Sequence, residues 1–209
     1  MLLNYTWSHC ISDGDASSEI GGGYQNPNSR QSERGNCVVD VRHIFNGSFV
    51  ALSPRFNGRW MERILGNWET SAIVTKRSGY WFNTGTGRDN SLTGIGADRP
   101  DVVGDSHVSN PSLNQWFNTA AFRPNALGTF GNSGRNNIEG PGGLTFDMAL
   151  MRRFSITERQ KVEARAEAFN VLNHPVFGGP RSSLTDSNVG RILSANDPRI
   201  FQFALKVIF

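Results

Sequence analysis

The sequence predicts an all-β chain, an antiparallel up-and-down meander of about six strands, and three observations carry that prediction. The chain ends on strict alternation: Phe201, Phe203, Leu205, Val207 and Phe209 are large and apolar, while Gln202, Ala204 and Lys206 between them are small, polar or charged. Period-two patterning marks a strand with two unlike faces. Composition agrees, because 23 Gly and 14 Phe among many Asn and Ser suit short aromatic-rich strands joined by turn-rich loops. Finally, no apolar run approaches the roughly 20 residues that a membrane helix needs.

Each strand is justified by its own alternation. The first runs over Leu2–Cys10, with Leu3, Tyr5 and Trp7 alternating with Asn4, Thr6 and Ser8. The second, Val39–Leu52, sets Val39, Val41, Phe45, Phe49 and Ala51 against Asp40, Arg42, Asn46 and Ser48. The third, Trp68–Arg77, sets Trp68, Thr70, Ala72 and Val74 against Glu69, Ser71 and Thr75. The fourth, Leu144–Phe154, sets Leu144, Phe146, Met148, Leu150 and Phe154 against Asp147, Ala149, Met151 and Arg153, with Arg152 interrupting the apolar face near its end. The fifth, Gln160–Leu172, has charged Lys161, Glu163, Arg165 and Glu167 between apolar Val162, Ala164, Ala166 and Ala168. Its Ala, Glu, Arg and Lys are good helix formers, so a helix competes, but perfect alternation cannot make a helical stripe. The sixth is the terminal strand, Arg199–Phe209.

The connections point to a membrane. In bacterial outer-membrane barrels the C-terminus is periplasmic, periplasmic turns are short and external loops are long. Walking back from Phe209, the connections Asn173–Pro198, Ser155–Arg159, Ser78–Gly143, Ser53–Asn67 and Ile11–Val38 run long, short, very long, moderate and long. A soluble sandwich has no reason to sort loop length by end. A mean hydropathy of −0.40 is compatible, since only alternate strand residues face lipid. The expected architecture is the C-terminal section of a transmembrane β-barrel with long external loops.

Other features exclude more than they assign. Twenty-one Lys and Arg against 18 Asp and Glu give +3, too weak a bias for a nucleic-acid partner. The first residues lack the basic and apolar regions of a signal peptide, as a truncated gene product would. Cys10 and Cys37 flank a polar stretch containing Gly21, Gly22 and Gly23; a disulfide in an oxidising compartment is the expectation, with two free thiols as the alternative. His9, His43, His107 and His174 show no metal-ligand spacing, so no metal or cofactor is expected. Gly128, Gly131 and Gly134 lack the Lys-Ser or Lys-Thr of a phosphate-binding loop. No nucleophile, base and orienting group can be picked out, and an enzyme is not expected.

Two sets of residues suit a channel. Asp40, Arg42, Glu69, Asp147, Arg153, Glu163, Arg165 and Glu167 fall on the predicted lumen face, where mixed charges form cross-strand ion pairs and hydrate the channel or meet a plug. In the long loop, Trp81, Phe82, Trp116, Phe117 and Phe122 stand among Asn, Gly and Arg, as a saccharide or peptide ligand would use, or as loop packing would.

Gly131-Asn-Ser-Gly-Arg-Asn-Asn-Ile-Glu-Gly-Pro-Gly-Gly143, Phe146-Asp147, Arg165-Ala-Glu-Ala-Phe-Asn-Val-Leu-Asn-His-Pro-Val-Phe-Gly178 and Gln202-Phe-Ala-Leu-Lys-Val-Ile-Phe209 resemble the C-terminal barrel of Oar-like TonB-dependent outer-membrane transporters. Asn4–Cys10, Asp40–Phe45 and Arg77–Gly79 look similar to earlier strands of that barrel. The resemblance covers nearly the whole chain. It implies uptake of an unidentified ligand across the outer membrane of a Gram-negative bacterium. It also implies the partners: outer-membrane lipid, the barrel-assembly machinery, and the remaining strands and plug of a parent protein, with TonB reached through that plug. The plug, the signal peptide and the earlier strands of a barrel of about 22 strands lie outside this sequence. Six strands cannot close around a lumen, so the polypeptide is not expected to transport alone. A secreted, soluble all-β binding or adhesion module is the alternative.

Phe201, Phe203, Leu205, Val207 and Phe209 also resemble the terminal signal read during barrel assembly. Deleting Phe209 is expected to reduce assembly of the full-length parent in the outer membrane, read as the heat-modifiable fraction on gels. Unchanged assembly would remove the recognition role.

Overall fold

The computed structural model describes residues 1–14, 24–157 and 159–209. Gly21, Gly22 and Gly23 lie outside the described residues. Six strands form one antiparallel sheet in sequence order: β1 (Leu2–Trp7), β2 (His43–Leu52), β3 (Trp68–Arg77), β4 (Gly143–Ser155), β5 (Lys161–Phe169) and β6 (Ile200–Ile208). Every neighbour is a chain neighbour, which is the up-and-down meander that the alternation predicts. The segment open to a helical reading is β5, paired on both sides, with Leu150 opposite Ala166 and Ala164 opposite Leu205.

Register decides the faces, because a slip of one residue would exchange them. Tyr5 pairs with Phe45, Phe49 with Ala72, Ala72 with Met148, Met148 with Ala168 and Ala166 with Phe203. The main apolar alternation of each of the six strands therefore falls on one side of the sheet. The opposite side carries Asn4, Asn46, Thr75, Asp147, Glu167 and Gln202. The apolar side is open: Phe203 is 77% exposed and Leu205 78%. A water-soluble sheet would bury that side under another layer.

Three strand boundaries differ from the sequence reading by three residues or more. β1 ends at Trp7, and β2 begins at His43 rather than Val39. Asp40 is not on a strand: its buried carboxylate accepts the Cys10 N–H and pairs with Arg42 Nε at 2.9 Å. β5 ends at Phe169 because Asn170 takes a left-handed φ of 51° and its side-chain amide bonds the backbone of His174. Asn tolerates that region better than other side chains do. The alternation also gives no sign of one α-helix. The moderate connection between β2 and β3 contains a short helix, α1 (Arg59–Leu65).

The three long connections leave the same end of the sheet, where Trp7 meets His43, Arg77 meets Gly143 and Phe169 meets Ile200. They interlock into a crown. Cys10 and Cys37 form a disulfide that closes the first loop at its base, their Cα atoms 5.4 Å apart. That loop docks on the second through buried Glu33 and Arg99, paired at 2.6 Å. Arg99 also donates to the Ser133 and Ser32 carbonyls, and Gln25 bridges the Arg99 N–H and the Gly131 carbonyl. Gly131 is required sterically, since a Cβ there would lie 2.0 Å from the Arg99 carbonyl oxygen. The third loop joins through the Gly85 N–H to the Ser182 carbonyl and the Trp116 N–H to the Gly190 carbonyl. Among the described residues the apolar core lies in this crown, around Phe117, Ala121, Phe122 and Ile138.

Two outcomes follow from this crown. Replacing Cys10 and Cys37 together with Ser should lower the protection of the first loop by up to about 3 kcal/mol, the loop-closure scale, read by hydrogen exchange; exchange unchanged would mean that the polar contacts of Gln25, Glu33 and Arg99 hold the loop without the disulfide. Arg99→Ala leaves the Glu33 carboxylate buried and unpaired, and should cost about 3–5 kcal/mol locally. Limited proteolysis should then cut within the crown at lower enzyme concentration, and much less so in a Glu33→Leu, Arg99→Met double variant.

Candidate functional site

Two regions carry the candidate residues. The first is the polar side of β4 and β5. Register sets Arg153 opposite Glu163 and Met151 opposite Arg165, and carries Glu163 on to Lys206 in β6. Glu163 accepts from both Arg153 Nε at 2.9 Å and Arg165 Nη2 at 3.2 Å, and Arg165 Nη1 reaches Glu167 at 3.4 Å. The result is a continuous ladder of alternating charge in which Glu163 is the buried member. Glu69 lies on the same side, opposite Met151. Asp147 also lies there, where its carboxylate accepts the Asn170 N–H at 2.8 Å and fixes the exit of β5.

Asp40 and Arg42 are a correction to this set. Both precede β2, so neither projects from the sheet. Arg42 instead spans Asp40, the Asn36 side chain and the face of Trp81, with its guanidinium carbon 5.0 Å from the ring centroid. A guanidinium satisfied by a carboxylate and an aromatic face is held in place. Here it ties the base of the Cys loop to the start of the second loop.

The second region is a cleft of about 400 Å³ in the crown, lined by Trp81, His107, Trp116, Asn137 and Glu139. Trp116 Nε1 donates to the Glu139 carbonyl at 2.8 Å, and the Glu139 carboxylate accepts the Gly79 N–H at 3.2 Å. Of the expected ligand contacts, Trp81, Trp116 and a buried Phe117 line it, while Phe82 and Phe122 do not. Phe117 is 2% exposed and Phe122 5%; they meet edge to face at 5.8 Å between centroids, and Phe82 packs tilted against Phe117. The loop needs its own core, and these rings supply it. Trp81 and Trp116 remain half-buried at the cleft wall.

Elsewhere in the crown, Asp89 accepts the N–H groups of Gly94 and Thr93 at 2.8 and 3.1 Å. The Gly94 N–H is the largest cause holding its carboxyl below the ordinary value, with Thr93 and Ser91 adding to it. That turn is favoured at neutral pH and loses the contribution as pH falls through the lowered value.

The histidines stay apart. His43 Nδ1 lies 2.8 Å from the Tyr5 hydroxyl, and His9 Nε2 lies 3.3 Å from the Asn36 side-chain oxygen. Among the described residues no three His, Cys, Asp or Glu side chains gather as a metal site would require. The Glu33–Arg99 pair escaped the sequence reading, because charges inside a Gly- and Asn-rich loop follow no period that would expose a partnership.

Comparison with the curated proteins and with the solved structures finds no match. A sequence model of the outer membrane beta barrel domain matches residues 1–202. Such a domain points to an outer-membrane location in a Gram-negative bacterium. The sheet agrees in kind, with one apolar side, one charged side and all long loops at one end. The match spans nearly the whole sequence, and the chain belongs to the outer membrane beta barrel domain family.

Proposed function

We propose that the chain is the C-terminal part of the barrel of an Oar-like TonB-dependent transporter, whose parent takes up a ligand across the outer membrane. The observation that carries this reading is the open six-stranded sheet, apolar on one side and laddered with charge on the other, with β1 and β6 at its edges. A sheet with two unpaired edges and an uncovered apolar side is not a stable end state in water. Strands from the rest of a parent barrel satisfy the edges, and lipid covers the apolar side. Energy for uptake then comes from TonB acting through a plug that this sequence does not contain.

The charged side favours a plugged lumen. Beside the Glu163 ladder it carries Val50, Leu52 and Ile73, all exposed and all on β2 and β3. A water-filled pore gains nothing from such residues, whereas a plug can pack on them. The Trp81–Trp116 cleft stands on the external side in this orientation, where a ligand arrives first. Aromatic walls with a carboxylate and an amide suit a saccharide or a peptide. The role is binding and passage, with no catalysis.

Fractionation of cells carrying the native gene tests the proposal. An antibody to this chain should detect a polypeptide larger than 23.0 kDa in the outer membrane, released only by detergent and crosslinked to TonB by formaldehyde. A soluble, secreted 23.0 kDa monomer would overturn it in favour of a binding or adhesion module. An outer-membrane product that never crosslinks to TonB would leave the barrel and remove the transporter.

A further inference from the structure

The short helix α1 is amphipathic in reverse. Trp60, Met61, Ile64 and Leu65 form one stripe at spacings of one, four and five residues, and all four are exposed, Trp60 by 74%. Glu62 turns inward instead, where its carboxylate accepts the Phe56 N–H at 2.7 Å. A helix at a water-facing turn would do the opposite.

Its position supplies the reason. Trp68 Nε1 donates to the Ile64 carbonyl at 2.8 Å. Arg152 Nη1 donates to the same carbonyl at 3.0 Å, and Arg152 Nη2 donates to the Arg63 carbonyl. Trp68 and Arg152 are register partners on the apolar side of the sheet. The helix C-terminus is therefore pinned on the side that faces lipid, at the end bearing the short turns. The Arg152 guanidinium sits against the rings of Trp68 and Phe154, 5.0 and 4.9 Å from their centroids.

We propose that Arg59–Leu65 is an interfacial anchor lying in the periplasm-facing leaflet, its apolar stripe continuing the lipid-facing side of the sheet. The occupant of the stripe is phospholipid. Trp60 takes the headgroup depth that tryptophan favours, and Arg59 and Arg63 face anionic headgroups. Arg152 is the positioning residue: it spends its charge on two orphan carbonyls at the helix end, where a cation also suits the helix dipole. This inference rests on the barrel orientation proposed above.

Spin labels separate the two. Single cysteines replace Ile64, Leu205 on the apolar side and Asn46 on the polar side, in the native gene product held in outer-membrane vesicles under non-reducing conditions. Relaxation by oxygen, which partitions into lipid, is compared with relaxation by a water-soluble nickel chelate. The expected result is a higher oxygen-to-nickel ratio for Ile64→Cys and Leu205→Cys than for Asn46→Cys. Adding Arg152→Met should raise label mobility at position 64 and leave position 205 unchanged. A nickel-dominated signal at 64 with oxygen dominant at 205 would overturn the anchor and keep the barrel. Nickel dominance at both would remove the membrane orientation itself, and protection from both reagents at 64 would mean that a protein covers the helix.

Discussion

The backbone hydrogen-bond ladder is the constraint on which everything else in this chain depends. A segment crossing a bilayer has no water to satisfy its N–H and C=O groups, so each strand must find them in its neighbours. Once the ladder forms, its register fixes which residues share a side. Tyr5 opposite Phe45 and Ala166 opposite Phe203 are not independent contacts; they are one alternation carried across six strands. The chemistry of both sides follows from it. The apolar side can face lipid because no strand is out of step, and the Arg153–Glu163–Arg165–Glu167 ladder can form because charged positions fall opposite one another across β4 and β5 or two apart on the same side of β5.

The crown obeys a different rule. Away from the sheet the ladders shrink to two-residue pairings such as Trp81–Phe82 with Ile138–Glu139, and side chains take over much of the rest. Gln25 closes on the backbone of Arg99 and Gly131, Arg99 on the carbonyls of Ser32 and Ser133, and Asn36 on the Asn136 carbonyl. This is how the described parts of the loops, rich in Asn, Ser and Gly, hold together: short amides and hydroxyls bond backbone locally, and glycine permits close approach. A buried ion pair sits where the first two loops meet. Its value is in specifying which loop docks where, since either partner left alone would be a buried unpaired charge. The small cluster around Phe117 then seals the second and third loops, with Leu184 and Val189 packed against it.

What the sequence revealed follows the same division. The six strands, their faces and the loop parity were legible because each rests on period two or on connection length. Where a side chain's partner lies far away in sequence, legibility fails. Asp40 and Arg42 continue the alternation of β2 on paper, but the disulfide and the Asn36 side chain hold them in the crown instead. Phe117 and Phe122 carry the same chemistry whether they meet a ligand or each other, and only packing tells. Helix α1 was hidden for a related reason: at seven residues it is too short to establish a period, and its apolar stripe points away from the protein that would have explained it.

Arg152 brings these strands of argument together. On the alternation alone it is an error, a guanidinium on the apolar side beside Leu150 and Phe154. An unpaired charge there is costly at mid-depth and tolerable near an interface. The structure shows how this chain removes the cost. Two aromatic rings flank the guanidinium, and its N–H groups meet carbonyls that a helix end cannot satisfy by itself. The irregular connection and the irregular residue are each unfavourable alone and each supplies what the other lacks. With α1 as the proposed interfacial anchor, the local break in the pattern falls where the bilayer core gives way to its surface, and the length of the β2–β3 connection becomes a consequence of that boundary.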